Sequence, residues 1–234
     1  MIMENWIIDD IMNGLQSGRY DVEEPLPSEH TMCARYSVPR ITVRNAYNRL
    51  EDQGIVVSRQ GKGRYLTPSK TPVHLDLWTG SSFSEKLMSQ GLELDNRILI
   101  QKSCDYDRDI WKRLDLDGKE EQVYHIAIIR MIEDSPIAIH HSYLPIKYFP
   151  LVEEEAPTIK SMFRYFTTNG YTELKAVSVT MELSLPTSEE QELLCCPPLI
   201  PLLVLENCTH SKEVTPLQYT RILYRGDRFK YHIN

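Results

Sequence analysis

The run of residues 26–66 constrains the fold more than any other part of the chain, because it combines a helix start, a turn, a basic helix and a glycine-rich hairpin. Ser28 can cap a helix by accepting a hydrogen bond from a free backbone N–H, and a short helix is predicted over residues 29–36. Pro39 disfavours helical geometry in the residue before it and suits the first turn of a new helix. A second helix is therefore predicted to begin near Pro39 or Arg40.

The second helix is predicted to have one buried face and one basic face. Its apolar residues recur at i, i+3, i+4 and i+7, and they are Val43, Ala46, Tyr47 and Leu50. Gly54 is placed to end the helix. The polar residues that fall off the apolar stripe near the helix start are Arg40, Thr42, Arg44 and Asn45. Guanidinium groups at a helix N-terminus suit the phosphates and guanine edges of a DNA major groove.

A basic hairpin is predicted after this helix. Residues 55–57 start an extended segment, Gly61 and Gly63 permit a tight turn, and residues 65–66 return as a second strand. The polar side chains at or near its tip are Arg59, Gln60, Lys62 and Arg64. A surface helix with solvated arginines is the plain alternative, but the turn, the helix and the basic hairpin occur together here.

This combination resembles the N-terminal domain of the GntR family of bacterial transcription regulators, which runs LPSE, a short helix, a turn, R-x-T-x-R and a wing of the form R-x-G-x-G. The resemblance implies a winged helix-turn-helix fold that binds operator DNA. His30 and Ile41 depart from the pattern, since arginine and a small polar residue are usual there. The expected DNA contacts are Ser28, His30, Arg40, Thr42, Arg44, Asn45, Gln60, Gly61 and Lys62.

The charge of the chain is distributed unevenly. The 234 residues carry a net charge of −7, yet residues 35–64 hold seven basic and only two acidic side chains. Residues 1–70 are balanced at nine basic and nine acidic side chains, and the remainder holds 17 basic and 24 acidic ones. A neutral module with a basic face, joined to an acidic domain, would direct DNA to one surface only.

The composition disfavours several other classes of protein. No run approaches 18 apolar residues and no signal peptide is recognisable, so the protein is expected to be cytoplasmic, with no membrane partner. The five cysteines lack any C-x-x-C spacing, which favours reduced thiols over a metal or redox sensor. His140 and His141 would point to opposite faces of a strand, which argues against a shared metal.

Beyond the first domain the pattern becomes rich in strands. The polar, proline-bracketed residues 67–72 fit a linker, and the predicted division is a DNA-binding domain at 1–67, a linker at 68–76 and an effector and dimerisation domain at 77–234. Strands are predicted near 98–101, 123–131, 137–141, 176–183, 202–207 and 217–223, and helices near 84–90 and 159–168. This is an α+β domain around a mainly antiparallel sheet.

Three stretches of this second part, at residues 82–91, 128–145 and 219–233, resemble the UTRA domain of the HutC subgroup of GntR regulators. The resemblance implies a chorismate-lyase-like fold, a small effector and a homodimer. The expected effector contacts are Ser82, Phe83, Ser84, Arg130, His140, Tyr143, Gln218 and Tyr224. Ile128, His140 and Gln218 replace one arginine and two acidic residues of the sugar-phosphate-binding members, which suggests a different ligand, one less polar or lacking the sugar hydroxyls that carboxylates would accept from.

Some of this expectation follows from the residues alone. Ser82 and Glu85 form a capping box, whose helix N-terminus and nearby hydroxyls suit an anion. Arg130 lies in an apolar run, and a guanidinium can bind carboxylate or phosphate in a bidentate way. The alternative is that Arg130 pairs with Glu133 or Asp134 at a strand end. Residues 225–228, Arg-Gly-Asp-Arg, are interpreted as a tight turn with a local ion pair.

The sequence therefore predicts a homodimeric repressor that leaves a palindromic operator when a small anionic metabolite binds. Two alternatives remain, a small-molecule enzyme on a lyase-like fold and a metal or redox sensor. The chain contains no G-x-S-x-G, H-E-x-x-H or nucleotide-binding glycine pattern, so neither a catalytic residue nor a cofactor is predicted.

Overall fold

The fold is described from a computed structural model, which places residues 2–67, 72–76, 83–214 and 216–232. Contacts between Cα atoms divide the chain into two compact units, residues 1–71 and 72–234. Each unit has its own hydrophobic core. None of the described helices is long and apolar enough to cross a membrane.

The first unit is a three-helix domain with a hairpin wing. Its elements are α1 (Ile2–Gln16), α2 (Glu29–Tyr36), α3 (Arg40–Asp52), β1 (Val56–Arg59) and β2 (Gly63–Leu66). The predicted bounds of α2 and the predicted start of α3 are confirmed. The Ser28 hydroxyl accepts a hydrogen bond from the Thr31 backbone N–H at 3.1 Å, as a helix cap should. β1 and β2 pair antiparallel.

The predictions did not include α1. Ile7 and Ile11 are fully buried in the core of this unit, and Ile8, Met12 and Leu15 pack against that core. The spacing of these residues is that of an amphipathic helix, so the sequence did contain the signal.

The second unit is built on a six-stranded antiparallel sheet. Its helices are α4 (Phe83–Met88), α5 (Arg108–Arg113), α6 (Val152–Glu155), α7 (Met162–Thr168) and α8 (Ser188–Leu194). Its strands are β3 (Val73–Asp76), β4 (Asp95–Ser103), β5 (Val123–Ile132), β6 (Ser135–Pro145), β7 (Lys175–Ser184), β8 (Leu202–His210), β9 (Gln218–Arg225) and β10 (Phe229–His232). The order in the large sheet is β4-β5-β6-β9-β8-β7, and β3 pairs with β10 in a separate parallel sheet.

Side chains alternate between the two faces of the large sheet. On the first face, Ile126 of β5 packs against Phe166 of α7, while the adjoining part of this face packs against α4 and the β3–β10 pair. On the second face, Ile129 packs against Leu194 of α8. Trp111 of α5 covers the other end of the second face. The predicted α+β fold with a mainly antiparallel sheet is confirmed.

The predicted linker at residues 68–76 extends too far. Residues 73–76 form β3, in which Val73 pairs with Phe229 and Leu75 with Tyr231. Val73 and Leu75 are buried, so this segment contributes to the core of the second unit. Residues 68–71 lie outside the described part of the chain.

The turn after β9 has the structural role that was predicted for it. The Arg225 guanidinium forms two hydrogen bonds with the Asp227 carboxylate, at 3.0 and 2.7 Å, and a third with the Leu194 carbonyl at 2.9 Å. The Gly226 N–H donates to the Pro201 carbonyl at 2.8 Å. These contacts fix the end of α8 against the end of β9, an interior strand of the sheet.

Candidate nucleic-acid interface and effector cavity

The start of α3 presents the polar surface that the sequence predicted. Val43, Ala46, Tyr47 and Leu50 are buried in the core of the first unit. Arg40, Arg44 and Asn45 are exposed on the other side of the helix, and Thr42 is half-buried. The amphipathic pattern of α3 thus orients two arginines outward at one helix end.

Both arginines are held by a single acidic side chain, Glu29 of α2. Its carboxylate accepts hydrogen bonds from Arg40 Nε at 2.6 Å, Arg44 Nε at 3.4 Å and Arg64 Nη1 at 3.1 Å. The hydrogen bond from Arg40, assisted by those from Arg44 and Arg64, lowers the pKa of Glu29 to about 2. Glu29 was not among the residues expected in this surface, because its partners come from α3 and the wing.

The wing forms a tight turn with a polar tip. The Lys62 N–H donates to the Arg59 carbonyl at 3.0 Å, and Gly61 and Gly63 adopt positive φ angles of 72° and 108°. Gln60, Gly61 and Lys62 are all exposed. These three residues form the exposed tip of the wing, the part of a hairpin that is narrow enough to enter a DNA groove.

The two other arginines of the wing make different contacts. Arg64 binds Glu51 at 2.8 Å as well as Glu29, so it braces the base of the wing. The Arg59 guanidinium lies 4.1 Å from the centre of the Tyr65 ring. The prediction that Arg64 lies near the tip was therefore wrong, because two carboxylates draw its side chain back to the helices.

The remaining two candidates for DNA contact lie on or beside α2. His30 is exposed in the first turn of that helix. Ser28, also exposed, uses its hydroxyl as the helix cap. The nine candidates thus belong to α3, the wing tip and the start of α2.

In the second unit, Arg130 is a buried cation without an acidic partner among the described residues. It is only 4% exposed, and its Nη1 donates to Asn96 Oδ1 at 2.6 Å and to the Lys160 carbonyl at 3.1 Å. Its Nε is buried and has no hydrogen-bond partner among the described residues. Burial lowers the pKa of the guanidinium to about 10, which leaves it protonated near neutral pH.

The alternative pairing of Arg130 with Glu133 or Asp134 was wrong. Those residues form the turn between β5 and β6, with φ angles of 47° and 59°. A turn of this kind follows the twist of the two strands, and the Arg130 guanidinium contacts Asn96 and Lys160 instead.

Three of the predicted effector residues gather near Arg130. Phe83, His140 and Tyr224 contact one another through their rings, with centroid distances of 4.8 to 5.9 Å. His140 Nε2 is buried and has no hydrogen-bond partner in the described part of the chain. Burial, and secondarily the charge of Arg130, lowers the pKa of His140 well below its usual value. The imidazole is therefore neutral near neutral pH, and Arg130 supplies the only cationic charge of this cluster.

Two predicted effector residues are not part of this group. Tyr143 stacks on His125 and Tyr219 on the second face of the sheet, with ring centroids 4.3 and 5.5 Å apart. Gln218 begins β9, six residues before Tyr224, which is a separation of roughly 20 Å along a strand. The alternation of side chains along β6 sends His140 and Tyr143 to opposite faces. Ser82 lies outside the described residues.

A cavity of about 880 Å³ opens beside Arg130. α4, the residues before β4 and the region around α7 line it, and its lining includes Ser84, Asn96, Lys160, Ser161 and Arg164. Asn96 and Lys160 are the two partners of the Arg130 guanidinium. The volume lies in the range of small-molecule sites. Of the lining residues, sequence reasoning found only Ser84.

The described residues contain no group of three histidine, cysteine or acidic side chains that could hold a metal. All five cysteines are free, and Cys195 and Cys196 occupy exposed and buried positions respectively. Burial raises the pKa of the Cys104, Cys196 and Cys208 thiols. The metal or redox sensor therefore gains no support from the described geometry.

Comparison with protein families gives two matches. Residues 4–66 match the model described as bacterial regulatory proteins, gntR family, and residues 89–230 match the UTRA domain. The matched ranges contain α2, α3, the wing and all six strands of the large sheet.

Curated relatives and solved structures resemble the chain over nearly its whole length. The HTH-type transcriptional repressor NagR of Bacillus subtilis is 25% identical over 227 residues, covering 96% of this chain and 91% of the relative. The probable fructoselysine utilization operon transcriptional repressor of Escherichia coli is 24% identical, with 97% and 90% covered. The crystal structure of PhnF from Mycobacterium smegmatis has a TM-score of 0.64 and 21% identity, with 97% and 98% covered.

Proposed function

The chain belongs to the GntR family of bacterial regulatory proteins and carries a UTRA domain, and on that premise we propose that it is a homodimeric repressor whose palindromic operator is released when a small anionic metabolite binds. Within the family we place it in the HutC subgroup, acting on cytoplasmic DNA. The relatives are transcriptional repressors, and the chain is a regulator rather than an enzyme.

The observation that carries the DNA-binding part of the proposal is the pair of outward arginines at the start of α3. Arg40 and Arg44 are exposed, yet their guanidinium groups are held by Glu29. Side chains that are already ordered lose less entropy when they bind. Guanidinium forks fit guanine edges and phosphates, and the exposed wing tip offers a further contact in the adjoining groove.

The effector part is supported by Arg130 and the cavity beside it. A buried cation with only neutral acceptors is costly unless an opposite charge approaches. A carboxylate or phosphate that entered the cavity would supply that charge, and Ser84 and Ser161 offer hydroxyl groups at its wall. Effector and operator would then be linked by a coupling free energy, which for such switches is about 1 to 3 kcal/mol.

The DNA assignment is tested with a duplex selected from random-sequence DNA by the wild-type protein. Arg40→Ala and Arg44→Ala should each weaken binding to that duplex by roughly 1 to 3 kcal/mol, because each removes a base or phosphate contact. Arg97→Ala is the matched control, since it removes an exposed arginine from β4 of the second unit.

Fluorescence anisotropy titrations of the three variants would give the affinities. Both α3 variants binding the duplex as tightly as wild type would refute the DNA-binding role of α3. A loss of affinity in Arg97→Ala of the same size would show that total charge, rather than the α3 surface, controls binding.

A further inference from the structure

Asn96 stands between the Arg130 guanidinium and the cavity. The two residues face each other across the β4–β5 pair, and Asn96 Oδ1 accepts from Arg130 Nη1 at 2.6 Å. Asn96 also lines the cavity, whereas Arg130 does not belong to its lining. A molecule in the cavity therefore meets the amide of Asn96 before it meets the guanidinium.

The hydrogen bonds of Arg130 to the described residues satisfy only part of its guanidinium. Nη1 has two neutral acceptors, Asn96 Oδ1 and the Lys160 carbonyl, and Nε has none. A neutral amide oxygen provides a hydrogen bond but no countercharge. An oxyanion carries a full opposite charge, whose Coulomb attraction to a guanidinium is stronger in the protein interior than in water, so an oxyanion in the place of the amide oxygen would bind Arg130 more strongly than Asn96 does.

The charges that line the cavity do not cancel that of Arg130. Two cationic side chains, Lys160 and Arg164, and two acidic ones, Glu93 and Glu155, contribute to the lining. The Glu155 carboxylate accepts a hydrogen bond from the Tyr165 hydroxyl at 2.7 Å. These four charges balance, which leaves the guanidinium behind Asn96 as the surplus positive charge.

Asn96 also lies where moving its side chain away from Arg130 costs little free energy. Among the described strands, β4 is an edge strand that pairs with β5 alone, and Asn96 is the second residue of β4. The end of an edge strand can separate without disturbing the rest of a sheet, since stability is lowest at frayed ends.

We propose that Asn96 is a neutral placeholder: its amide oxygen occupies the position at Arg130 Nη1 that an oxyanion of the effector takes, and the pairing of that oxyanion with Arg130 produces the effector-bound state. The ligand class is an organic carboxylate or phosphate whose remaining atoms occupy the cavity. This inference rests on the proposed function, because the effector-bound state is defined there by weaker operator binding.

The test is to supply the oxyanion permanently with Asn96→Asp, which keeps the size of the side chain. This variant should melt above wild type and bind the selected duplex about 5- to 150-fold more weakly, the range of typical allosteric coupling. Acetate, benzoate and inorganic phosphate, each compared with chloride at equal ionic strength, should no longer raise its melting temperature. Asn96→Ala, which removes the placeholder without adding charge, should keep wild-type duplex affinity and at least the wild-type response to these anions.

Three outcomes would overturn the inference. The first is an Asn96→Asp protein that melts at or below wild type. The second is wild-type affinity of that protein for the duplex. The third is equal weakening of duplex binding in the Asp and Ala variants, which would assign Asn96 a purely structural role. Failure of the wild-type protein to select any duplex would instead refute the proposed function. The melting temperatures of wild type and the two Asn96 variants would still test whether Asn96 occupies the oxyanion position at Arg130.

Discussion

Glu29 shows how an acidic residue can order a surface that we propose binds an anionic partner. Its carboxylate lies among Arg40, Arg44 and Arg64 and joins α2 to α3 and to the wing. It reduces the positive charge available to DNA, yet it fixes the direction of the two arginines that face outward. The position of Glu29 therefore favours binding that depends on the orientation of Arg40 and Arg44 over attraction that depends only on net positive charge.

Glu29→Gln should reveal this role through the pH dependence of stability. The pKa of Glu29 in the folded protein is about 2, below its ordinary value of 4.5, so its ion pairs stabilise fully above pH 4.5 and are lost as the pH falls through 2. At pH 7 the variant should be less stable by about 1 kcal/mol. Near pH 2 the difference should vanish.

Calorimetric melting at pH 7 and pH 2 would measure this difference. Glu24→Gln provides the control, because Glu24 is exposed and lies before α2. A deficit for Glu29→Gln that stays constant across this pH range would show that the carboxylate charge is not responsible.

His125 and His141 give the second unit its own sensitivity to acid. Their rings share a hydrogen bond between Nε2 and Nδ1 at 3.0 Å, and burial lowers the pKa of each to about 4. Unfolding exposes both rings to water, where they bind protons below about pH 6.5. Stability should therefore fall as the pH drops from 6.5 through 4, by about 2 kcal/mol for each ring.

His125→Phe should keep the stacking on Tyr143 and reduce this acid sensitivity, as seen in melting temperatures between pH 7 and pH 4. His30→Phe, on the exposed surface of α2, is the control and should leave the pH profile unchanged. An unaltered profile in His125→Phe would mean that other groups control the acid transition.

The turn between β9 and β10 depends on a close approach that only glycine allows. A Cβ atom at Gly226 would lie 2.5 Å from the Pro201 carbonyl oxygen, which belongs to the backbone. Gly226→Ala should therefore destabilise the protein by about 1 to 3 kcal/mol through overpacking, measured by urea denaturation. At Gly118 the nearest atoms belong to the flexible Glu120 side chain, so Gly118→Ala should cost much less.

Local sequence patterns predicted most of the helices and strands but not the contacts between them. α2 and α3 have strong caps and periodicity, and the apolar runs of β5, β6, β8 and β9 are long, so their existence could be read from the sequence. β3 was not predicted, because its four residues follow a proline-bracketed polar stretch. Its extended conformation also depends on pairing with β10, which is distant in the sequence.

For the candidate sites, too, local patterns predicted single residues but not the contacts between them. Arg130 was found because it interrupts an apolar run, but Asn96 and Lys160 carry no local signal, and they meet Arg130 only through strand register and the loop before α7. Tyr143 was grouped with Arg130 by resemblance and chemistry, although strand alternation sends it to the other face. Registers and loop paths depend on tertiary packing, which local spacing does not encode.

For the whole molecule, the proposed homodimer predicts a dependence on operator spacing. Two α3 helices related by a two-fold axis must meet half-sites on a matching side of the duplex. Inserting five base pairs between the half-sites rotates one of them by about half a turn. Affinity should then fall to that for an isolated half-site.

The matched control is a spacer of the original length with a scrambled sequence, which should bind like the selected duplex. Sedimentation equilibrium of the full chain should give twice the 27.3 kDa mass. Spacing-independent affinity together with a monomeric mass would refute the dimer.

The pairing of β3 with β10 brings the two ends of the second unit together. β3, the first described strand after residue 71, lies beside β10, the last described strand. Domains whose ends lie close together tolerate insertion and transfer. This unit therefore has the topology of an interchangeable cassette, which recombination could attach to a different DNA-binding head without rebuilding its sheet. A sensor of one metabolite could in this way acquire a new set of target genes in one genetic event.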